Sequence, residues 1–215
     1  MKLAIEKRLA SSLKRKDQQP NIELAQELDE ELSKNPQSGP VTSLIEIAST
    51  GKKAAQYDAI KIIYELARLN PSHITPFTEQ IIAMAQTDDS RIIWAVLQVL
   101  NILCDFEPVL LMSNLNSLLT ATDRSSVIAN DNMMAILAKL NNHKSFSQTI
   151  TPILLQRLTH SAPNQFPTYA ELAAGTIPDK NKDHLLKIID QRLSAIASKP
   201  KRKRLLKIKQ SLSEK

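Results

Sequence analysis

Apolar residues recur at three- and four-residue spacing along almost the whole chain, as in DAIKIIYELARL, SRIIWAVLQVLNILC and KDHLLKIIDQRLSAIAS. That spacing lays an apolar stripe along one face of an α-helix, and no segment shows the strict alternation of a half-buried strand. Glycine is scarce, at 3 of 215 residues, while leucine, isoleucine and alanine are plentiful. Both biases favour helix. The expected fold class is all-α.

Proline divides the pattern into units. Pro40, Pro76, Pro108 and Pro152 open the apolar segments PVTSLIEIAS, PFTEQIIAMAQ, PVLLMSNLNSLL and PILLQRL, at intervals of 36, 32 and 44 residues. Proline is tolerated in a helix's first turn, where its missing amide would have had no partner. Each is therefore predicted to start a helix, with Thr75 and Thr151 as N-caps. A fifth segment begins near Lys182 without a proline. Second helices follow at DAIKIIYELARL, SRIIWAVLQVLNILC, SVIANDNMMAILAKL, TYAELAA and KRKRLLKIKQSL. Each pair is too thin to bury its own apolar side, so it must stack on its neighbours.

In the clearest repeat, TPFTEQIIAMAQTDDSRIIWAVLQVLNIL, Pro76 comes early in the first helix, Asp88 or Asp89 in the turn, and Arg91 at the second helix. The next repeat keeps Pro108 and Asp123 but offers Arg124 two or three positions early, and the fourth keeps only Pro152. This order resembles that of armadillo/HEAT-type α-solenoids over roughly residues 40 to 212. The resemblance implies a HEAT/armadillo-like right-handed α-α superhelix of about five helix pairs with an N-terminal helical cap, and it implies no activity. At ~10 Å per pair the stack would be roughly 50 Å long. The expected division is capping helices over 1–36, repeats over 37–198 and a basic helix or tail over 199–215. The similar stretches TDDSR and TDRSS, 35 residues apart, then read as helix-capping turns.

Little in the sequence points to catalysis. The three glycines are too dispersed for a phosphate-cradling loop. Cys104 lies in an apolar run with no nearby base, and His73, His143, His160 and His184 form no ligand pair. No enzyme activity, metal or cofactor is expected. HEAT-like DNA alkylation repair glycosylases need a basic, aromatic channel, which leaves them a distant alternative. The opening stretch lacks the apolar run of a signal peptide, and the greasiest segment, Ile92 to Cys104, is 13 residues. A soluble, cytoplasmic protein without membrane attachment is expected.

Charge is uneven. Residues 180–215 hold 12 Lys/Arg against 3 Asp/Glu, whereas residues 1–179 hold 16 against 19. At the start, MKLAIEKRLASSLKRK has Ile5, Leu9 and Leu13 in line, and the acidic NIELAQELDEELSK follows. These are expected to pack as a capping hairpin; a membrane-surface helix is the rival reading.

Two surfaces are candidates for partners. Along SRIIWAVLQVLNILCD, Arg91, Trp94, Gln98, Asn101 and Asp105 fall on one stripe of an otherwise apolar helix. A shift of 33 residues back places Asp58, Lys61, Glu65, Arg68 and Ser72 beside them, and a shift of 34 forward brings Asn132. Lys61, Glu65, Arg68, Arg91, Trp94, Gln98, Asn101 and Asn132 are thus the predicted protein- or peptide-binding residues of a concave face; the plainer reading is a solvated stripe. The second surface is basic: Lys199, Lys201, Arg202, Lys203, Arg204 and Lys207. It reads as a C-terminal cap, as an anion-binding site for nucleic acid or an acidic protein, or as an import signal. The preferred function is a non-enzymatic scaffold or adaptor, with electrostatic nucleic-acid binding as the alternative.

Overall fold

The computed structural model describes residues 1–35 and 39–213. Helices and turns account for the described residues, without a strand. By contacts the chain falls into two compact units, residues 1–133 and 134–215. The expected boundary between residues 36 and 37 lies outside the described residues, as do residues 214 and 215 of the basic segment.

In the first unit α1 (Lys2–Glu6) and α2 (Gln19–Lys34) precede the pairs α3 (Pro40–Thr50) with α4 (Lys53–Leu69) and α5 (Thr78–Met84) with α6 (Ser90–Leu103). Then come α7 (Pro108–Ser113), α8 (Leu115–Asp123) and the beginning of α9 (Val127–Asn141). Two layers result. One holds α2, α4 and α6 side by side, and the other holds α1, α3, α5 and α7. Helix α4 is flanked by α2, α3 and α6, which explains why Ala59, Ile60, Ile62, Ile63, Leu66 and Ala67 are all buried. Each large aliphatic side chain so buried contributes roughly 1.5–3 kcal/mol.

Pro40 and Pro108 sit in the first turns of their helices, as predicted. Pro76 lies in a 3₁₀ turn, Thr75–Phe77, just ahead of α5, and the Thr75 hydroxyl donates to the Ser72 carbonyl at 3.3 Å instead of capping a helix. The two similar turns stack directly. Asp89 caps α6 by accepting the amides of Arg91 (3.0 Å) and Ile92 (3.3 Å). In the next repeat the cap is Ser126, whose hydroxyl accepts the Ala129 amide at 3.3 Å, while Asp123 ends α8. Ser125 Oγ donates to the Ser90 carbonyl at 3.1 Å, and Arg124 pairs with Asp88 at 3.2 Å.

The N-terminal segment departs from the expected amphipathic helix. Helix α1 stops at Glu6, and turns follow to Gln18, with Lys14 at a left-handed φ of 56°. The cause lies 47 residues away in sequence: Asp58 Oδ2 accepts the Ser11 amide at 2.7 Å. Asn21 Oδ1 accepts the Ala10 amide at 3.0 Å, and its Nδ2 donates to Asp58 Oδ1 at 2.8 Å. Amides that would have continued the helix are captured by buried side chains. Ile5 and Leu9 are buried as expected, but Leu13 is left 52% exposed. Packing is also not the expected simple hairpin: α1 lies on α3 and α2 on α4, with Arg8 reaching Glu27 at 2.7 Å.

The second unit contains the rest of α9, then α10 (Lys144–His160), α11 (Phe166–Thr176), a 3₁₀ turn at Asp179–Asn181, α12 (Lys182–Leu193) and α13 (Lys199–Ser213). Its core gathers Phe166, Leu185, Ile189 and Leu205, each fully buried. Pro152 does not begin a helix; it lies inside α10. Ile150 and Leu154 hold the two sides of the proline in the core, and buried Thr151 donates its hydroxyl to Asn141 Oδ1 at 2.9 Å instead of capping. The carbonyl robbed of its amide belongs to Gln148, an exposed residue, where solvent can reach it. Arg192 closes the end of α10: its guanidinium donates to the carbonyls of Thr159 and Ser161 (2.6 Å to the latter) and lies 4.9 Å from the Phe166 ring.

Candidate functional site

Helices α4 and α6 present matching faces. Tyr57, Ile60, Lys61 and Tyr64 on one helix, and Arg91, Trp94, Ala95 and Gln98 on the other, both follow i, i+3, i+4, i+7 spacing. With Lys16 and Gln18 from the segment before α2, they line a cavity of about 470 Å³. That lies within the range of small-ligand and side-chain pockets. Of the predicted partner-binding residues, Lys61, Arg91, Trp94 and Gln98 come together here. Trp94 and Gln98 are half-buried, so the open side of this apolar helix is where the sequence placed it.

The offset between the two faces is 34 residues, not the 33 expected. One residue on a helix is a rotation of about 100°, and its consequence is large. Asp58, expected on the open stripe, is buried at 4% exposure and occupied by the N-terminal segment. Tyr57 takes the place beside Arg91, whose guanidinium lies 4.1 Å from the ring centroid. Ser72, also expected on the stripe, lies beyond the end of α4 in a 3₁₀ turn.

A set of polar contacts fixes this arrangement. The Tyr57 hydroxyl donates to Asp89 Oδ2 at 2.8 Å, and Lys53 reaches the same oxygen at 3.2 Å. Burial pushes the Asp89 carboxyl up, but the hydrogen bonds from Tyr57, Lys53 and the Ile92 and Arg91 amides outweigh it and hold the group below its usual range. The same bond raises the Tyr57 phenol above its ordinary value, which keeps it a neutral donor. Asp89 is thus spent on the α6 cap and on Tyr57, behind the cavity wall.

The other predicted residues lie elsewhere. Glu65 is buried and accepts from both Lys61 and Arg68, the latter at 3.1 Å. Arg68 is exposed, 5.8 Å from the Tyr64 ring. Asn101 is half-buried one turn beyond Gln98, and Asn132 Nδ2 donates to the Ile128 carbonyl at 2.9 Å. None of these four lines the cavity. Tyr57, Tyr64, Lys16 and Gln18 do line it and were missed. The YDAIKIIY spacing offered a signal for the tyrosines; nothing local marked Lys16 or Gln18.

In the second unit the basic residues of α13 divide. Lys201 donates to Asn164 (3.0 Å to Oδ1), and Arg204 to Glu171 (2.7 Å to Oε1) and Thr168. The Arg204 guanidinium holds the Glu171 carboxyl below its usual range, and is itself raised by it. Lys199, Arg202, Lys203 and Lys207 are exposed along one face, with Leu206 among them. His160 and His184, far apart in sequence, both line a separate cavity of about 460 Å³. His73 lies 3.2 Å from Asp29 with its side chain 9% exposed. Among the described residues no three His, Cys, Asp or Glu side chains are grouped to hold a metal ion. No helix described is long and apolar enough to cross a membrane.

Comparison with solved structures places this geometry. A computationally designed armadillo repeat protein, made for modular peptide recognition, superposes with a TM-score of 0.60 over 90% of this chain and 92% of its own, at 14% identity. The fold is an all-α repeat architecture of armadillo/HEAT type. No protein-family profile matches the sequence, and no curated protein is significantly similar to it.

Proposed function

We propose that this protein is a non-enzymatic scaffold that binds a peptide or a segment of a partner protein in the cavity between α4 and α6. The observation that carries the reading is the convergence of Lys61, Arg91, Trp94 and Gln98 on one partly enclosed space, with Tyr57 and Tyr64 beside them. Tryptophan, tyrosine and arginine in a partly enclosed site are the residue types that dominate binding hot spots. The likeness to a designed peptide-recognising repeat protein supports the same reading at the level of fold.

Trp94→Ala tests it. The indole is half-buried, so truncation should cost well under the ~3–5 kcal/mol of a fully buried aromatic. Affinity for peptides selected on the native protein should fall by about 2 kcal/mol or more. Unchanged affinity with a folded variant would refute the cavity as the binding site. A second reading rests on a separate observation, the exposed row Lys199, Arg202, Lys203 and Lys207. It gives α13 an anion-binding role, for which affinity would fall steeply with salt.

A further inference from the structure

The charge of the α4–α6 cavity is one-sided. Lys16, Lys61 and Arg91 line it, and no Asp or Glu does. Lys61 is shared with Glu65, but Lys16 and Arg91 have no carboxylate partner among the described residues. The nearest candidate for Arg91, Asp89, is already engaged by Tyr57, Lys53 and two amides. Arg91 instead lies over the Tyr57 ring, 4.1 Å from its centroid, and is exposed to solvent. A guanidinium so held is preorganised for a carboxylate, which it can take through two parallel hydrogen bonds. Next to it Trp94 supplies an apolar contact, and Gln98 supplies an amide able to pair with a peptide backbone; Gln18, whose Oε1 already accepts from Asn21, can offer its amide N–H groups.

Resting on the scaffold reading above, we infer that the partner segment is acidic: an Asp or Glu side chain meets Arg91 and Lys16 while a neighbouring apolar side chain packs on Trp94. The unit around the cavity argues for a discrete carboxylate over a polyanion. Residues 1–133 carry 13 Lys/Arg against 17 Asp/Glu, a net charge of −4. An extended phosphate backbone would meet that negative surface on leaving the cavity. One carboxylate within it meets Lys16 and Arg91, Lys61 being shared with Glu65, while exposed charges beyond about 8–10 Å are largely screened.

The test is a selection of random nine-residue peptides on the whole protein, followed by affinity measurements on the enriched sequences. A dT oligonucleotide serves as the polyanion probe. Enriched peptides should carry Asp or Glu next to an apolar residue. Replacing that acid by its amide should weaken binding about tenfold or more. Arg91→Gln should do the same while still unfolding in one cooperative step, its midpoint only slightly lowered by loss of the Tyr57 contact. Arg91→Glu, an exposed position that tolerates either side chain, should shift the selection toward Lys and Arg. Neutral or basic peptides enriched in a Trp94-dependent way would overturn the acidic preference and leave the scaffold reading standing. No enrichment at all would defeat both. Oligonucleotide binding that depends on Arg91 and excludes the peptides would replace this inference with a nucleic-acid site.

Discussion

The two units use charge in opposite ways. Residues 1–133 hold 13 Lys/Arg against 17 Asp/Glu, and residues 134–215 hold 15 against 5. On net charge alone the second would be the place to look for an anionic partner. Yet the acidic unit hides several of its carboxylates: Asp58 fastens the N-terminal segment, Glu65 sits behind Lys61, and Asp89 caps α6. What remains at the cavity is cationic. The basic unit, conversely, puts much of its positive charge to internal use, with Arg192 on helix-end carbonyls, Arg204 on Glu171 and Lys209 on Asp190. Formal charge counts groups; what a partner meets depends on which of them the fold has already paired.

The sharpest break of this comparison is in the uncharged core of the basic unit. Phe166 is fully buried beneath Arg192. Phe166→Ala should cost about 3–5 kcal/mol in urea unfolding, against much less for Trp94→Ala in the acidic unit. Equal costs would mean that Trp94 is a core residue and not a cavity wall. Next comes Asp58→Ala, which leaves the Ser11 amide without its acceptor and the Asn21 side-chain amide with Gln18 Oε1 alone. A loss of about 2–3 kcal/mol is expected, together with faster tryptic cleavage around Lys14 to Lys16. A stable variant with unchanged cleavage would remove Asp58 as the clamp.

Asp89→Ala should cost about 1–2 kcal/mol at neutral pH through loss of the α6 cap and the Tyr57 bond. The sign with pH follows from the depressed carboxyl. Its stabilisation is present above the ordinary aspartate value and is lost as pH falls through the lower, folded one. The gap between native and variant should therefore close in acid, as read from urea midpoints at pH 7 and pH 2. A gap that persists there would trace the cost to packing. The smallest effect belongs to the surface pair in the basic unit: Arg204→Gln should change stability by about 1 kcal/mol or less, and less still in high salt.

Much of the fold was open to sequence reading, because helical periodicity and the positions of Pro40 and Pro108 depend on neighbours a few residues away. What escaped depended on distant ones. The helix expected over the first residues failed because Asp58 and Asn21 compete for its amides. Pro152 was misread because the packing of Ile150 and Leu154 outweighs one lost hydrogen bond. At the cavity, the shared stripe of Arg91, Trp94 and Gln98 could be read from one helix alone. Their neighbours required the register between helices, and an offset of 33 instead of 34 exchanged Tyr57 for Asp58. Lys16 and Gln18 come from a third segment that only the folded chain brings near.

The fastening of Ser11 to Asp58 also orders events during synthesis. Residues 7 to 18 leave the ribosome before α4, and the acceptor of the Ser11 amide is 47 positions further along. At ~5–20 residues per second, that segment waits roughly 2–9 s before α4 offers it a mooring. Lys16 and Gln18 therefore come to the cavity late, although they are made early. The wall they form closes only after the helix it faces has been translated.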